Sequence, residues 1–163
     1  MDSFFIPSLL VGNLLIIIDS FGITDIMSAM SATSDRKELP KRRLGRTEFE
    51  AAVLGLGGEG LLRSFGRPKE ADALINTAID LGVNYMESAR AYSGSESYYG
   101  DALKGRRDKV FLSSKSHARD KKGALTHLEE TLFTMKTDHL DLWQIHDVRT
   151  EDDVKAIFAP GGA

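Results

Sequence analysis

The chain has 163 residues, a formal net charge of −3, 28% charged and 42% hydrophobic residues, and no cysteine. That composition fits one globular domain with a real core, and a near-neutral balance gives nucleic acid no electrostatic reason to bind. Without cysteine, disulfides, thiolate metal sites and cysteine nucleophiles are excluded, which suits a reducing cytoplasm, the expected location.

Residues 4–18 form a mostly apolar run interrupted by Pro7, Ser8, Gly12 and Asn13. It falls short of the roughly 18–20 apolar residues that span a bilayer, so a membrane partner is not expected. Ala29 and Ala32 offer small residues for cleavage, but the start carries Asp2 and no lysine or arginine, which argues against export. Residues 1–39 are therefore expected to be an extension with no role in the fold, apolar first and then a polar linker over 31–38. A membrane or export signal and a segment docked on the fold are the competing readings, and Met27 and Met30 are alternative starts.

From Pro40 the elements follow in a regular order. The segments 41–45 and 48–52 flank Arg46 and Thr47, a turn that can close a hairpin. Residues 53–56 read as a short buried strand, ended by a loop with glycines at 55, 57, 58 and 60. Gly57 and Gly58 leave backbone bare enough for a flat or charged ligand to approach, with a tight strand-to-loop turn as the alternative. The dinucleotide fingerprint GxGxxG is absent here. Pro68 can start a helix whose Ala71, Leu74, Ile75, Ala78 and Ile79 share one face, with Gly82 as its stop. A strand over 83–87 follows, then a helix from a Ser93/Glu96 capping box to about Lys104. A third strand runs from Val110 to about Lys115, and the next helix carries a stripe of Leu125, Leu128, Leu132 and Met135. The fourth strand covers 140–145, and Thr150 with Asp153 caps a last helix bearing Val154, Ile157 and Phe158. Tyr98, Tyr99, Phe111 and Trp143 read as core or rim packing, and the basic clusters 41–43 and 106–109 as solvated surface.

The order β-α-β-α-β-α-β-α implies parallel strands with crossover helices. Periodicity alone does not separate a doubly wound sheet from half of a (β/α)8 barrel. A complete barrel needs about 250 residues, so on the barrel reading the chain holds half of one. Four such strands would leave two open edges, through which copies of the chain could associate.

Chemistry-bearing residues fall at the ends of three successive strands: Glu87, Tyr92 five residues later, Lys115, and His146. In a parallel βα fold these strand ends meet on one face. A lysine near a tyrosine lowers the phenol's pKa, a carboxylate pairs the lysine, and a histidine can donate a hydrogen bond to a carbonyl oxygen. Each residue also has an ordinary alternative: a helix-capping carboxylate, a rim aromatic, a surface charge, a hydrogen-bonded rim histidine. His117 can face the same mouth. His127 and His139 show no metal-ligand spacing.

These residues, with their neighbours, resemble the aldo/keto reductase family. The resemblance begins at Arg43-Leu-Gly-Arg-Thr47 and Leu54-Gly-Leu-Gly57, continues through Glu87-Ser-Ala89 and Tyr92, and takes in Gly94-x-Glu96 and Gly100-x-Ala-Leu103. It ends with the strands closing on Lys115 and His146. Glu87 stands where the family usually has aspartate, which lengthens the stem by one methylene. The resemblance implies an α/β fold made of the N-terminal half of a (β/α)8 barrel over 40–163, opened by a hairpin. It implies NAD(P)H-dependent reduction of a small aldehyde or ketone, with NADPH favoured over NADH. Tyr92 is then the proton donor, Lys115 lowers its pKa, His146 orients the carbonyl, and Glu87 pairs with Lys115. Gly57, Gly58, Glu87 and Tyr92 are the expected cofactor contacts. The chain is expected to be a fragment inactive by itself; a non-catalytic cofactor-binding subunit and a half-barrel active only as an oligomer are the alternatives.

Overall fold

The structure is a computed structural model that describes residues 8–11, 14–17 and 38–163. Its main sheet has six strands. The two N-terminal ones are β1 (Ser8–Val11) and β2 (Leu14–Ile17), and the other four are β5 (Leu54–Gly57), β6 (Tyr85–Glu87), β7 (Phe111–Ser116) and β8 (Leu142–Ile145). Their spatial order is β1-β2-β5-β6-β7-β8, with β5 to β8 parallel and β1 and β2 antiparallel. Helices α1 (Pro68–Asp80), α2 (Ser95–Ala102) and α3 (Lys121–Thr134) connect the parallel strands, and α4 (Glu151–Phe158) follows β8. Among the described residues no helix is long and apolar enough to cross a membrane.

Two N-terminal expectations need correction. The apolar run is not outside the fold: β2 pairs with β5 through Leu14–Leu56, Leu15–Gly55 and Ile16–Leu54. An edge strand exposes a row of unpaired N–H and C=O groups, and an apolar strand without charge is suited to cover it. One of the two edges expected to stay open is therefore filled from within the chain. Most of the expected linker, together with Met27, Met30, Ala29 and Ala32, lies outside the described residues.

The hairpin at the start of the barrel-like region forms as expected, from β3 (Lys41–Arg43) and β4 (Glu50–Ala52). Asn84, at the entry to β6, holds it in place. Its Oδ1 accepts from Ala52 N at 2.7 Å and its Nδ2 donates to Glu50 O at 2.9 Å. Phe49, Tyr85 and Phe111 pack at this junction, with Phe111 ring centroids 5.0 Å from Phe49 and 5.4 Å from Tyr85.

Between sheet and helices lies the core, centred on Leu56, Leu62, Ile75, Met86, Tyr99 and Leu112. Helix α1 begins with Pro68 and buries Ala71 and Ile75, the face its spacing predicts. Tyr99 is fully buried and donates to Leu56 O at 2.8 Å; burial pushes its phenol well above the usual tyrosine range. Gly100 brings α2 against the end of α3: a Cβ there would meet Thr134 O at 2.6 Å.

Three local expectations fail for identifiable reasons. Ser93 and Glu96 form no capping box; Gly94 is the N-cap of α2 and no side chain caps it. Glu96 is buried and accepts instead from Ser114 Oγ and Thr131 Oγ1, both at 2.8 Å, and from Arg90 Nη1 at 3.0 Å. Of the stripe expected on α3, Met135 is buried and Leu128 and Leu132 are half-buried, but Leu125 is exposed, and Ala124 and Thr131 are buried instead, with Thr131 bonded to Glu96. The cluster 106–109 is not simply solvated: Arg107 bonds Val110 O, His139 O and Asp141 Oδ2, and Asp141 Oδ2 accepts from Leu112 N. Arg107 thus fixes the entry to β8.

Candidate active site

The pairing registers bring the expected groups to one end of the sheet. Gly57 pairs with Glu87, and Glu87 with Ser113, while Lys115 pairs with Gln144 one residue before Ile145 closes β8. Glu87 therefore ends β6, Lys115 stands near the end of β7, and His146 follows β8. Tyr92 reaches the same place from the loop after β6, whose turn is closed by Tyr92 N donating to Ala89 O at 2.9 Å.

Lys115 forms an ion pair with Glu87, and its Nζ also donates to Ser88 O at 2.8 Å. The longer stem of glutamate does not prevent this pairing. Gly58 N reaches Glu87 Oε2 at 3.4 Å. The Lys115 ammonium lies over the Tyr92 ring, 4.9 Å from its centroid, and the His146 ring meets Tyr92 edge-on at 5.5 Å and 89°. All four residues named from the sequence meet.

Electrostatics departs from expectation at the tyrosine. Tyr92 is raised above the usual phenol value, first by burial, then by Glu59, and the lowering by Arg63 does not offset them. Lys115 was expected to lower it. Its charge is instead taken up by Glu87 and the Ser88 carbonyl, and it sits over the ring face. Burial pushes Lys115 itself down to about 8, against the opposing pull of Glu59. His146 is held below the ordinary imidazole value, first by burial, then by Lys115. At neutral pH the site thus offers a protonated phenol beside a neutral imidazole.

Gly58 does not offer the bare approach expected of it. A Cβ there would meet Ser95 Oγ at 2.3 Å and Glu87 O at 2.7 Å, so its missing side chain is used to pack the loop on the chain itself. Gly57 is buried within β5 beside Glu87. His117 is exposed and stacks obliquely on His127 at 4.7 Å, and His127 Nδ1 bonds Ser116 Oγ at 2.8 Å.

Sequence reasoning missed Glu59 and Arg63. They form an ion pair at 2.6 Å on the loop after β5, and the Arg63 guanidinium carbon lies 5.5 Å from the Tyr92 ring centroid. Their i, i+4 spacing was a visible signal, but in a glycine-rich loop it pointed to no helix and no partner. Arg90 and Arg119 were missed as well, because Glu130 and the His146 carbonyl, to which they donate, are distant in sequence.

Comparison with known proteins follows the same lines. The model of the aldo/keto reductase family matches residues 53–159. The oxidoreductase YqkF of Bacillus subtilis is 30% identical over 129 residues, covering 70% of this chain and 41% of that protein. Methylglyoxal reductase YeaE of Escherichia coli is 37% identical over 78 residues, covering 45% of this chain and 28% of that one. Among solved structures, an aldo-keto reductase from Pseudomonas aeruginosa matches with TM-score 0.65 and 27% identity over 76% of this chain and 53% of its own. An aldo/keto reductase from Klebsiella pneumoniae in complex with NADP and acetate matches with TM-score 0.61 and 25% identity, over 73% of this chain and 44% of its own. The chain thus spans about half the length of these solved relatives, and its four parallel βα units correspond to part of their (β/α)8 barrel.

Proposed function

This chain belongs to the aldo/keto reductase family, and on that premise we propose that it carries the proton-donating side of an NAD(P)H-dependent reduction of a small aldehyde or ketone. The observation that carries the reading is the convergence of Tyr92, Lys115 and His146, with Glu87 closing the ion pair behind them. NADPH is favoured over NADH, since the Klebsiella structure is described with NADP.

The donor set fits such a cofactor. A phenol that keeps its proton and a neutral imidazole stand together, and neither can supply a hydride. The bound nicotinamide would supply it to the carbonyl carbon. Gly57, Glu87 and Tyr92 are the residues proposed to face it, with Gly58 holding Glu87 in place.

His146 donates a hydrogen bond to the carbonyl oxygen, where negative charge develops as the C=O π bond opens. Tyr92 then transfers its hydroxyl proton to that oxygen, completing the alcohol. The phenol's raised value favours the protonated form throughout the neutral range and makes the transfer harder. Lys115 answers this when the phenolate forms, because its ammonium lies over the ring that takes the charge. Glu87 keeps that ammonium from being a buried unpaired charge. A cytoplasmic location accords with the cysteine-free sequence.

A titration of NADPH into the purified chain, followed by Trp143 quenching and the cofactor's own emission, tests the reading. Because the chain spans about half the length of its solved relatives, weak or no binding and no measurable turnover are expected of it alone. Any aldehyde-dependent NADPH consumption should fall about 100-fold or more in Tyr92→Phe without loss of binding. Aldehyde-dependent NADPH consumption that survives Tyr92→Phe at full rate removes the proposal. Binding without turnover in the unsubstituted chain, unchanged by Tyr92→Phe, turns it into a cofactor-binding role.

A further inference from the structure

The ladder between β7 and β8 stops at Ser116 and Ile145, just before His146. His146 N still donates to Ser116 O at 2.6 Å, but the carbonyls beyond that point have no strand partner. Arg119 takes them. Its Nη1 donates to His146 O at 2.9 Å and to His117 O at 3.2 Å, and its Nη2 to Asp147 O at 2.9 Å. Its Nε bonds Asp153 Oδ1 at 3.0 Å, so the charge that does this is itself paired. We propose that Arg119 is the positioning residue for His146, a guanidinium clamp that fixes the imidazole beside Tyr92. This rests on the reading of His146 as the carbonyl-orienting group.

Two features make a clamp necessary. Every residue of β8 is only half-buried and α4 has no buried residue, so packing alone does not fix the backbone that carries His146. Asp147 has φ +59°, the left-handed region that costs a non-glycine residue energy and persists only where its surroundings impose it. The peptide carbonyls on both sides of that strained residue, those of His146 and Asp147, are the ones Arg119 holds. Without the clamp Asp147 can relax to negative φ, which re-aims the preceding residue. The fork geometry matters: one guanidinium offers five donors in a plane, whereas a lysine ammonium is a point charge on a flexible stem.

NMR on the chain without cofactor or substrate tests this apart from the proposed activity. Two readouts apply: cross-relaxation between the His146 and Tyr92 ring protons, and the His146 titration midpoint. The titratable and charged groups facing His146 are Tyr92, Lys115, His117, Asp147 and Glu59, with Arg119 behind its carbonyl. In Arg119→Met the ring cross-peaks should be lost while the β6 and β7 amides stay protected. The midpoint should move up toward the ordinary imidazole value, as the imidazole leaves its half-buried place beside Lys115. Arg119→Lys, which keeps the charge but not the fork, should lose the cross-peaks too. Unchanged cross-peaks and midpoint in Arg119→Met overturn the proposal. Full retention of both in Arg119→Lys also overturns it, because charge alone would then suffice. If Arg119→Met does not fold, Arg119→Lys decides by the same criterion.

Discussion

Helices α2 and α4 follow β6 and β8 in equivalent places of the βα repeat, yet they are held by opposite means. In α2, six of eight residues are buried, and its N-terminus has no side-chain cap. None of α4's eight residues is buried, but its N-terminus has a complete capping box: Thr150 Oγ1 accepts from Asp153 N at 3.1 Å, and Asp153 Oδ2 accepts from Thr150 N at 3.0 Å. Glu151, Asp152 and Asp153 further oppose the positive end of the helix dipole. Local chemistry defines α4, whereas tertiary packing defines α2. The site straddles the two regimes, with Glu87 and Lys115 on the packed strands and His146 just past a strand whose residues are all only half-buried.

The hardest test of that contrast is Glu96→Ala. It strips a buried acceptor from Arg90, Ser114 and Thr131, and should cost about 3 kcal/mol of global stability, read as a lower urea midpoint. A loss under about 1 kcal/mol would mean that this network does not hold α2 and α3 together.

Gly100→Ala is next. The added methyl would press on Thr134 O at 2.6 Å and the Met135 carbonyl carbon at 2.8 Å, for an expected loss of roughly 1–3 kcal/mol. A wild-type urea midpoint would show that α2 and α3 can separate without cost.

Thr150→Ala should act differently, removing about 1 kcal/mol from α4 alone. Hydrogen exchange should then show α4 amides opening faster while those of β6 and β7 keep their rates. Equal acceleration in all three would erase the distinction between the regions.

The smallest effect concerns pH. Hydrogen bonds from Arg119, Arg149 and Thr150 hold the Asp153 carboxyl well below the usual carboxylate range. A group depressed in this way contributes in full above its unfolded value near 3.9 and loses that contribution as pH falls through the folded value. After correction for the intrinsic exchange rate, α4 protection should match at pH 7 and pH 5 and fall only in strong acid. A decline between pH 7 and 5 would assign the cap to another group.

How far the sequence could be read follows the same division. The Thr150/Asp153 box was legible because Arg119 bonds the other Asp153 oxygen and leaves Oδ2 to the cap, whereas the same pattern at Ser93 and Glu96 misled because Ser114 and Thr131 claim Glu96. The α1 face was legible because its apolar spacing and its packing agree.

By itself, the sequence determined the βα alternation, the parallel order, and the four residues at the strand ends. Strand periodicity and strand-end position are local properties, and a parallel sheet turns them into shared location. Only the tertiary structure decided that residues 14–17 cover the β5 edge, that Gly58 is filled by the chain's own packing, and that Arg119 holds the His146 backbone. It also decided that Tyr92 rises rather than falls, because a phenol's acidity depends on which charges face it and how much water is excluded, and both are set by residues distant along the chain.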